Sequence, residues 1–491
     1  MTELPLFIHT AAQIQALERD AIEKQGCPSY TLMTRAGEAG LRELRRAWPQ
    51  ARHIVVVCGG GNNAGDGYVL ARLAMRVGMR VTVIALFDPS TLRGDALRAE
   101  QQFTASGGVV SEWSEAAVKA ADVLVDAIFG TGLARPLDDR VASCVVVMNA
   151  AAAPIFSLDV PSGLHADTGE VLGAAINADR TMTFVGLKLG FYVGVGPDHV
   201  GSIQFDDLGV SNSGERIVAQ RMLPQSLATL LPARPRTSHK GMNGRVLIVG
   251  GGRGMAGAAR LAGEAALRAG AGLVTVATCA ENVAAIVTNR PELIVRAVEN
   301  AAELQRLMAQ ADVIAIGPGL GQDEWSRAMY KAALDSDRLL IMDADALNLL
   351  AAAPLKRDNW ILTPHPGEAA RLLRRSTAHV QADRLTAVNS MAHQYGGTIV
   401  LKGASTLVTR ENTVPFVCDY GNAGMATAGM GDVLTGVIAG LAAQLDDPFV
   451  AARTGVLVHA LAGDAAAAKG KRGLIASDLF EHLRGIVNPH A

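Results

Sequence analysis

Aromatic residues make up only 4% of this 491-residue chain, although 49% of it is apolar. Its core cannot rest on stacked rings. It must be built from the Ala, Val, Leu and Ile that let helices pack closely on parallel strands, the composition of an α/β protein. An excess of one charge is missing too. The 45 basic and 47 acidic residues are interspersed, for a net charge of −2, so no field draws nucleic acid or an anionic membrane, and a charged ligand must be held by local groups. The five cysteines (Cys27, Cys58, Cys144, Cys279, Cys418) are odd in number, far apart and without a CxxC pair. That argues against a disulfide framework or zinc site and fits a reducing compartment. No apolar run reaches the length of about 18 residues needed to span a bilayer. The opening MTELPLFIHTAAQIQALERD carries acids where a secretion signal needs a basic start. A cytoplasmic location with no membrane or nucleic-acid partner is expected. A Walker A loop, GxxxxGK[ST], is absent as well.

What is present is alternation. From HIVVVCGGG (53–61) short apolar strands trade places with helical stretches: RVTVIAL, ADVLVDAIFGTG, PIFSLDVPSG, TMTFVGLKLGF and GSIQFDDLGV. This predicts a Rossmann-like doubly wound sheet. The pattern lapses between residues 211 and 235, where prolines and small polar residues gather, and resumes at RVLIVGGG. Alternation through GLVTVATC, DVIAIGPGLG, LLIMDADALN, NWILTPHPGE and TIVLKGASTLVT then predicts a second α/β domain. There is no fixed-period repeat, so the expected organisation is two fused domains of different kinds, 1–215 and 225–491.

Three glycine motifs compete for attention. GRGMAG (252–257) is a formal GxGxxG after a strand, with Glu281 beyond it, but the motif occurs by chance in Gly-rich α/β chains and a glycine turn between strand and helix is the better reading. Gly59, Gly61 and Ala64 fit GxGxxA, yet their loop, GGGNNAGDGY, adds asparagines and an aspartate that a plain pyrophosphate loop lacks. GNAGMATAGMGD (421–432) runs straight into the apolar helical pattern VLTGVIAGLAAQL. Its glycines therefore lie at a helix N-terminus with Asp432 in the first turn. Exposed N–H groups beside a carboxylate suit phosphoryl transfer: an anion hole and a base.

GGGNNAGDGY, DAIFGTGLARP and SLDVPSG, taken together, resemble the YjeF N-terminal family of NAD(P)HX epimerases over residues 1 to about 215. RPRTSHKGMNGRVLIVGGG, AIGPGLG, DADALN, TPHPGE, LKGAST and NAGMATAGMGDVLTG resemble the ADP-dependent NAD(P)HX dehydratases of the ribokinase-like superfamily, from about residue 225 onward. Their order in one chain is similar to that of the bifunctional NAD(P)H-hydrate repair family. One departure is Ala64, where the family more often has glycine. Backbone use there leaves the reading intact.

The resemblance implies two sites. Asn63, Asp126 and Ser162 follow three different strands, whose ends meet along one edge of a parallel sheet; their oxygens suit a hard cation, which spacing alone leaves open and the resemblance names as potassium. Asp159 is implied as the substrate-contacting acid–base group. Asn62, Asn63, Ala64, Gly65 and Asp66, with Gly130, Thr131, Gly132, Leu133, Ala134, Arg135 and Pro136, are implied around the hydrated dinucleotide. In the second half the resemblance implies Asp432 as the base and Gly429, Met430 and Gly431 as the anion hole. Lys402, Gly403, Ala404, Ser405 and Thr406 are the implied ADP segment, and Ala258, His365 and either Gly319 or Gly321 surround the hydrated ring. Magnesium is expected with ADP, with Asp343 and Asp345 able to help bind it. The expected small-molecule partners are hydrated NADH or NADPH and ADP, in a homo-oligomer. Two rival readings are a ribokinase-like kinase of a vitamin alcohol, opposed by the epimerase-like half, and a YjeF-N interaction module, opposed by the presence of Asn63, Asp126, Asp159 and Ser162.

Overall fold

The computed structural model describes residues 4–211, 217–288 and 290–490. The chain divides into two compact units, Met1–Ala219 and Gln220–Ala491. The boundary expected at 215, and residues 212–216 of the expected seam, lie outside the described residues.

In the N-terminal unit a short strand β1 (Phe7–His9) precedes β2 (His53–Cys58), β3 (Arg80–Ala85), β4 (Val110–Ser111), β5 (Val123–Ala127), β6 (Ile155–Leu158), β7 (Arg180–Phe184), β8 (Leu187–Lys188) and β9 (Ser202–Asp206). Seven of these form a parallel sheet in the order β4-β3-β2-β5-β6-β7-β9. Every residue of β2, β5 and β6 is buried, as the unbroken Val/Ile runs require when helices cover both faces. The strand order reverses between β2 and β5, and in an open α/β sheet the crevice outside those strand ends is where ligands bind.

The C-terminal unit contains β10 (Ala219–Arg221, at the junction), β11 (Arg245–Val249), β12 (Leu273–Thr278), β13 (Ile294–Ala297), β14 (Val313–Ile316), β15 (Leu339–Met342), β16 (Trp360–Leu362), β17 (Thr398–Leu401), β18 (Thr406–Arg410) and β19 (Phe416–Cys418). Its order is β13-β12-β11-β14-β15-β16-β17-β18-β19-β10. The pairs from β13 to β17 are parallel, whereas β18 is antiparallel to both β17 and β19. Here the order reverses between β11 and β14, bringing the glycine loops after those two strands together. The Met430–Ala442 helix is apolar almost all round and is accordingly buried; only Gly431 and Asp432 escape. It packs on the Ala256–Arg268 helix backbone to backbone: a Cβ at Gly436 would lie 2.1 Å from the Ala262 carbonyl oxygen.

Candidate active sites

The N-terminal cavity, about 930 Å³, is lined by the segments that follow β2, β5 and β6. Asn62, Asn63, Asp66, Gly130, Thr131, Gly132, Leu133, Arg135, Pro136 and Asp159 all line it. Ala64 and Gly65 do not. They are buried in the first turn of the Asn62–Arg76 helix, where a Cβ at Gly65 would meet the Met33 side chain, so only their backbone can serve a ligand. Ala134 lies exposed among lining residues.

Asp159 follows β6 with φ +65°, a left-handed conformation that is uncommon for a non-glycine residue and found most often at functional positions. Both its oxygens are occupied. Oδ1 accepts from Lys188 Nζ at 2.5 Å and Oδ2 from the Thr131 N–H at 3.1 Å. Lys188 is fully buried and donates its remaining protons to Thr183 Oγ1 (2.7 Å) and the Phe184 carbonyl (2.9 Å). A buried ammonium needs such compensation, and Asp159 supplies its counter-charge. Two further carboxyls belong to this region. Burial, then the Asp159 charge, raises Glu18 to about 7; burial, Asp159 and Glu18 raise Asp66 well above the usual range.

Asp126 is buried beneath the cavity floor. Ser162 Oγ (2.5 Å), the Ser162 N–H (2.9 Å), Ser157 Oγ (2.8 Å) and the Ile128 N–H (3.2 Å) all donate to it. Burial raises its pKa, and these bonds offset that only in part. Asn63 donates to the Leu158 carbonyl at 3.1 Å, while its buried Oδ1 has no hydrogen-bond partner among the described residues. A buried oxygen without a donor calls for a water or a cation. That orphaned oxygen fits an oxygen-ligated cation.

In the C-terminal unit Gly429 caps the Met430–Ala442 helix in the left-handed conformation (φ +86°), and Asp432 stands in the first turn. Burial, then the charge of Asp343, raises Asp432 to about 7 against the pull of Lys402. Lys402 Nζ donates to Asp343 Oδ1 at 2.6 Å and is 3.8 Å from Glu368. Burial works against its charge, but Asp343, Glu368 and Asp432 outweigh it and raise its pKa. A Cβ on Gly431 would sit 3.3 Å from Lys402 Nζ. The Lys402 side chain therefore points at the glycine run, not into solvent. Asp343 Oδ2 accepts from Thr435 Oγ1 (2.8 Å), and Asp345 Oδ2 accepts from the Gly321 N–H (2.9 Å). Both carboxylates expected near magnesium are thus already engaged by protein donors.

The Gly403–Thr406 loop is braced from below. Arg384, almost fully buried, donates to the carbonyls of Leu401 and Lys402 at 3.2 Å each, and Ser405 takes φ +51°. His365 caps the Pro366–Leu373 helix: its Nδ1 accepts from the Gly367 N–H (2.9 Å), and Glu368 returns a bond to the His365 N–H (2.8 Å). The ring remains half exposed. Ala258 and Gly319 come together, a Cβ on Gly319 lying 3.0 Å from Ala258 Cβ.

Sequence reasoning passed over Lys188, Glu18, Thr435 and Arg384. A signal existed for Lys188 alone, a single charge inside the apolar TFVGLKLGF. Glu18 sits on a helix about 40 residues before the first motif, and nothing local marks it.

Fold and site together define a two-domain α/β protein whose C-terminal half is ribokinase-like. Structures similar to that half include a ribokinase-like superfamily protein of Enterococcus faecalis (TM-score 0.52, 32% identity, 55% of this chain and 96% of that one). Another is the ADP/ATP-dependent NAD(P)H-hydrate dehydratase of Bacillus subtilis co-crystallised with ATP and Mg²⁺ (0.50, 30%, 54% and 96%). A family model described as NAD(P)H-hydrate dehydratase matches residues 246–484, and one described as YjeF-related protein N-terminus matches 29–190. The bifunctional NAD(P)H-hydrate repair enzyme of Coxiella burnetii is 46% identical over 481 residues, covering 97% of this chain and 98% of the relative. That of Escherichia coli K12 is 45% identical over 489 residues, covering 99% and 95%. The chain belongs to the bifunctional NAD(P)H-hydrate repair enzyme family.

Proposed function

We propose that the two units divide the repair of hydrated NADH and NADPH. The N-terminal unit interconverts the R and S hydrates at nicotinamide C6, and the C-terminal unit dehydrates the S form at the expense of ADP, giving AMP and phosphate. One observation carries this reading: the carboxyl of Asp432, raised to about 7 in the first turn of a helix where Gly431 faces Lys402.

Hydroxide leaves poorly from the hydrated ring. Asp432 takes the proton of the C6 hydroxyl as that oxygen attacks the terminal phosphorus of ADP, and AMP departs. The N–H groups of Gly429 to Gly431 and the Lys402 ammonium stabilise the migrating charge. Phosphate then leaves with the C6–O electron pair and C5 loses a proton, restoring the double bond. Lys402 to Thr406 hold ADP, whose magnesium is carried largely by phosphate oxygens, as that ion prefers. Ala258, Gly319 and His365 bound the ring; the closeness of Ala258 and Gly319 favours Gly319 over Gly321.

In the N-terminal unit Asp159, paired with Lys188, is the base toward water adding to C6. Asn62 to Asp66 and Gly130 to Pro136 hold the dinucleotide, with backbone N–H groups toward its phosphates. Asn63, Asp126 and Ser162 would hold potassium, which supplies a fixed positive charge near those phosphates when bound. The test is to incubate the full chain with hydrated NADH and either ADP or ATP while following the reduced-nicotinamide absorbance. Recovery of both epimers with ADP is expected. Phosphorylation of a vitamin alcohol with no recovery of absorbance would refute the reading.

A further inference from the structure

Epimerisation at C6 needs two proton carriers. One must protonate the departing hydroxyl and one must deprotonate the water returning to the other face, or hydroxide itself has to leave and attack. Asp159, paired at 2.5 Å with the buried Lys188 ammonium, is placed for the base's role in the forward step.

The acid must therefore come from elsewhere on the cavity wall. Gln15, Glu18 and Ile22 line the cavity at helical spacing, while Ile14, Leu17 and Ala21 on the same helix are buried in the core. The capping box of Thr10 and Gln13 (3.2 and 2.9 Å) fixes the helix start, so Glu18 is held on the cavity wall by a rigid element. Of the other acids on that wall, Asp138 caps a helix by accepting from the Val141 N–H, and Asp95 stands in the first turn of another. Both thus already serve a helix N-terminus. Asn63, nine-tenths buried with an orphaned Oδ1, marks the same wall as built for a polar ligand.

We propose that Glu18 is the second catalytic residue of the epimerase site, the general acid that protonates the departing C6 hydroxyl opposite Asp159. The inference rests on the epimerase reading above. In the step, the C6–O bond breaks and its electron pair leaves with oxygen, which takes the Glu18 proton and departs as water. The N1 lone pair forms the C6–N1 double bond, and the cationic ring lies beside the Asp159 carboxylate. Water then adds to the opposite face, its oxygen pair forming the new C6–O bond as N1 recovers its electrons and Asp159 takes the proton. The reverse turnover exchanges the two roles, so the pair's proton count is unchanged. Two carboxyls whose surroundings drive their proton affinities apart are the usual basis of an acid–base division. The charged and titratable groups acting on Glu18 are Asp159, Lys188, Arg19 and Asp66. Burial and Asp159 hold Glu18 near 7, protonated in part at neutral pH, and burial, Asp159 and Glu18 raise Asp66 well above the usual carboxylate range.

The test uses the full chain with the R hydrate of NADH and separates the epimers chromatographically. Glu18→Gln should lower the epimerisation rate by about 10²–10⁴, with KM for the hydrate and ADP-driven dehydration of the S hydrate unchanged. Added formate should restore part of the rate to Glu18→Ala, which a structural role would not permit. In the wild type kcat/KM should fall as pH rises through about 7, and Glu18→Gln should lack that limb. Near wild-type epimerisation by Glu18→Gln overturns the proposal. So does a limb that persists in Glu18→Gln and disappears in Asp66→Asn, since the acid would then be Asp66. Absence of epimerisation in the wild type would instead remove the epimerase reading itself.

Discussion

Replacement of Asp432 by Asn should separate activity from stability in opposite directions. The carboxyl is held near 7 in place of 3.8 because burial and Asp343 oppose its charge. At 1.36 kcal/mol for each tenfold change in proton affinity, the charged form is destabilised in the fold by at most about 4 kcal/mol. The group is only partly buried by surface area, and solvent screening brings that to about 2 kcal/mol. A raised carboxyl is neutral in both folded and unfolded chains below about pH 4, so the cost is absent there. It grows as the unfolded chain ionises and is full above about 7. Asp432→Asn keeps the shape and removes the charge. It should therefore melt about 4–8 °C higher than wild type at pH 8, using 2–4 °C per kcal/mol for a unit of this size, and match it at pH 4. Dehydration should fall by about 10²–10⁴, the usual effect of removing a general base. In the wild type kcat/KM for dehydration should climb through pH 7 and level off as Asp432 ionises. Thermal melts at the two pH values, beside absorbance assays with the S hydrate and ADP, check every element. A variant that dehydrates at near wild-type rate would remove Asp432 from the chemistry, and one that melts no higher at pH 8 would refute the stored charge cost.

Lys188→Met should leave Asp159 without its counter-charge, lowering the stability of the N-terminal unit by roughly 2–4 kcal/mol in urea titrations and abolishing epimerisation while dehydration persists. Potassium should raise the melting temperature of the wild type relative to tetramethylammonium, and Asn63→Ala, which removes the orphaned oxygen, should lose that difference. Gly436→Val should lower stability by about 3 kcal/mol, because its Cβ would lie 2.1 Å from the Ala262 carbonyl oxygen and the two helices would have to part. Residues 1–219, expressed alone, should be soluble, melt cooperatively and epimerise; an insoluble fragment would count against independent folding of that unit.

The order of strands and helices was legible because buried parallel strands read as unbroken Val/Ile runs, and HIVVVC or VLVDA admits little else. Asp432 was legible for a local reason: a glycine run, a helix start and an acid in the first turn are neighbours in the chain, so their joint placement follows from backbone geometry. The resemblance carried most of the remaining residues to their positions. What the sequence determined by itself was thus the elements, the two α/β patterns and the strand-end loops that approach each ligand. Only the tertiary structure decided the charge of each group in those loops. The pairing of Asp159 with Lys188 spans 29 positions and that of Lys402 with Asp343 spans 59, while Glu18 shares a cavity with Asp159 from 141 positions away. Proton affinity depends on desolvation and on charges within a few ångströms. Those distances exist only once the sheet has brought its strand ends together.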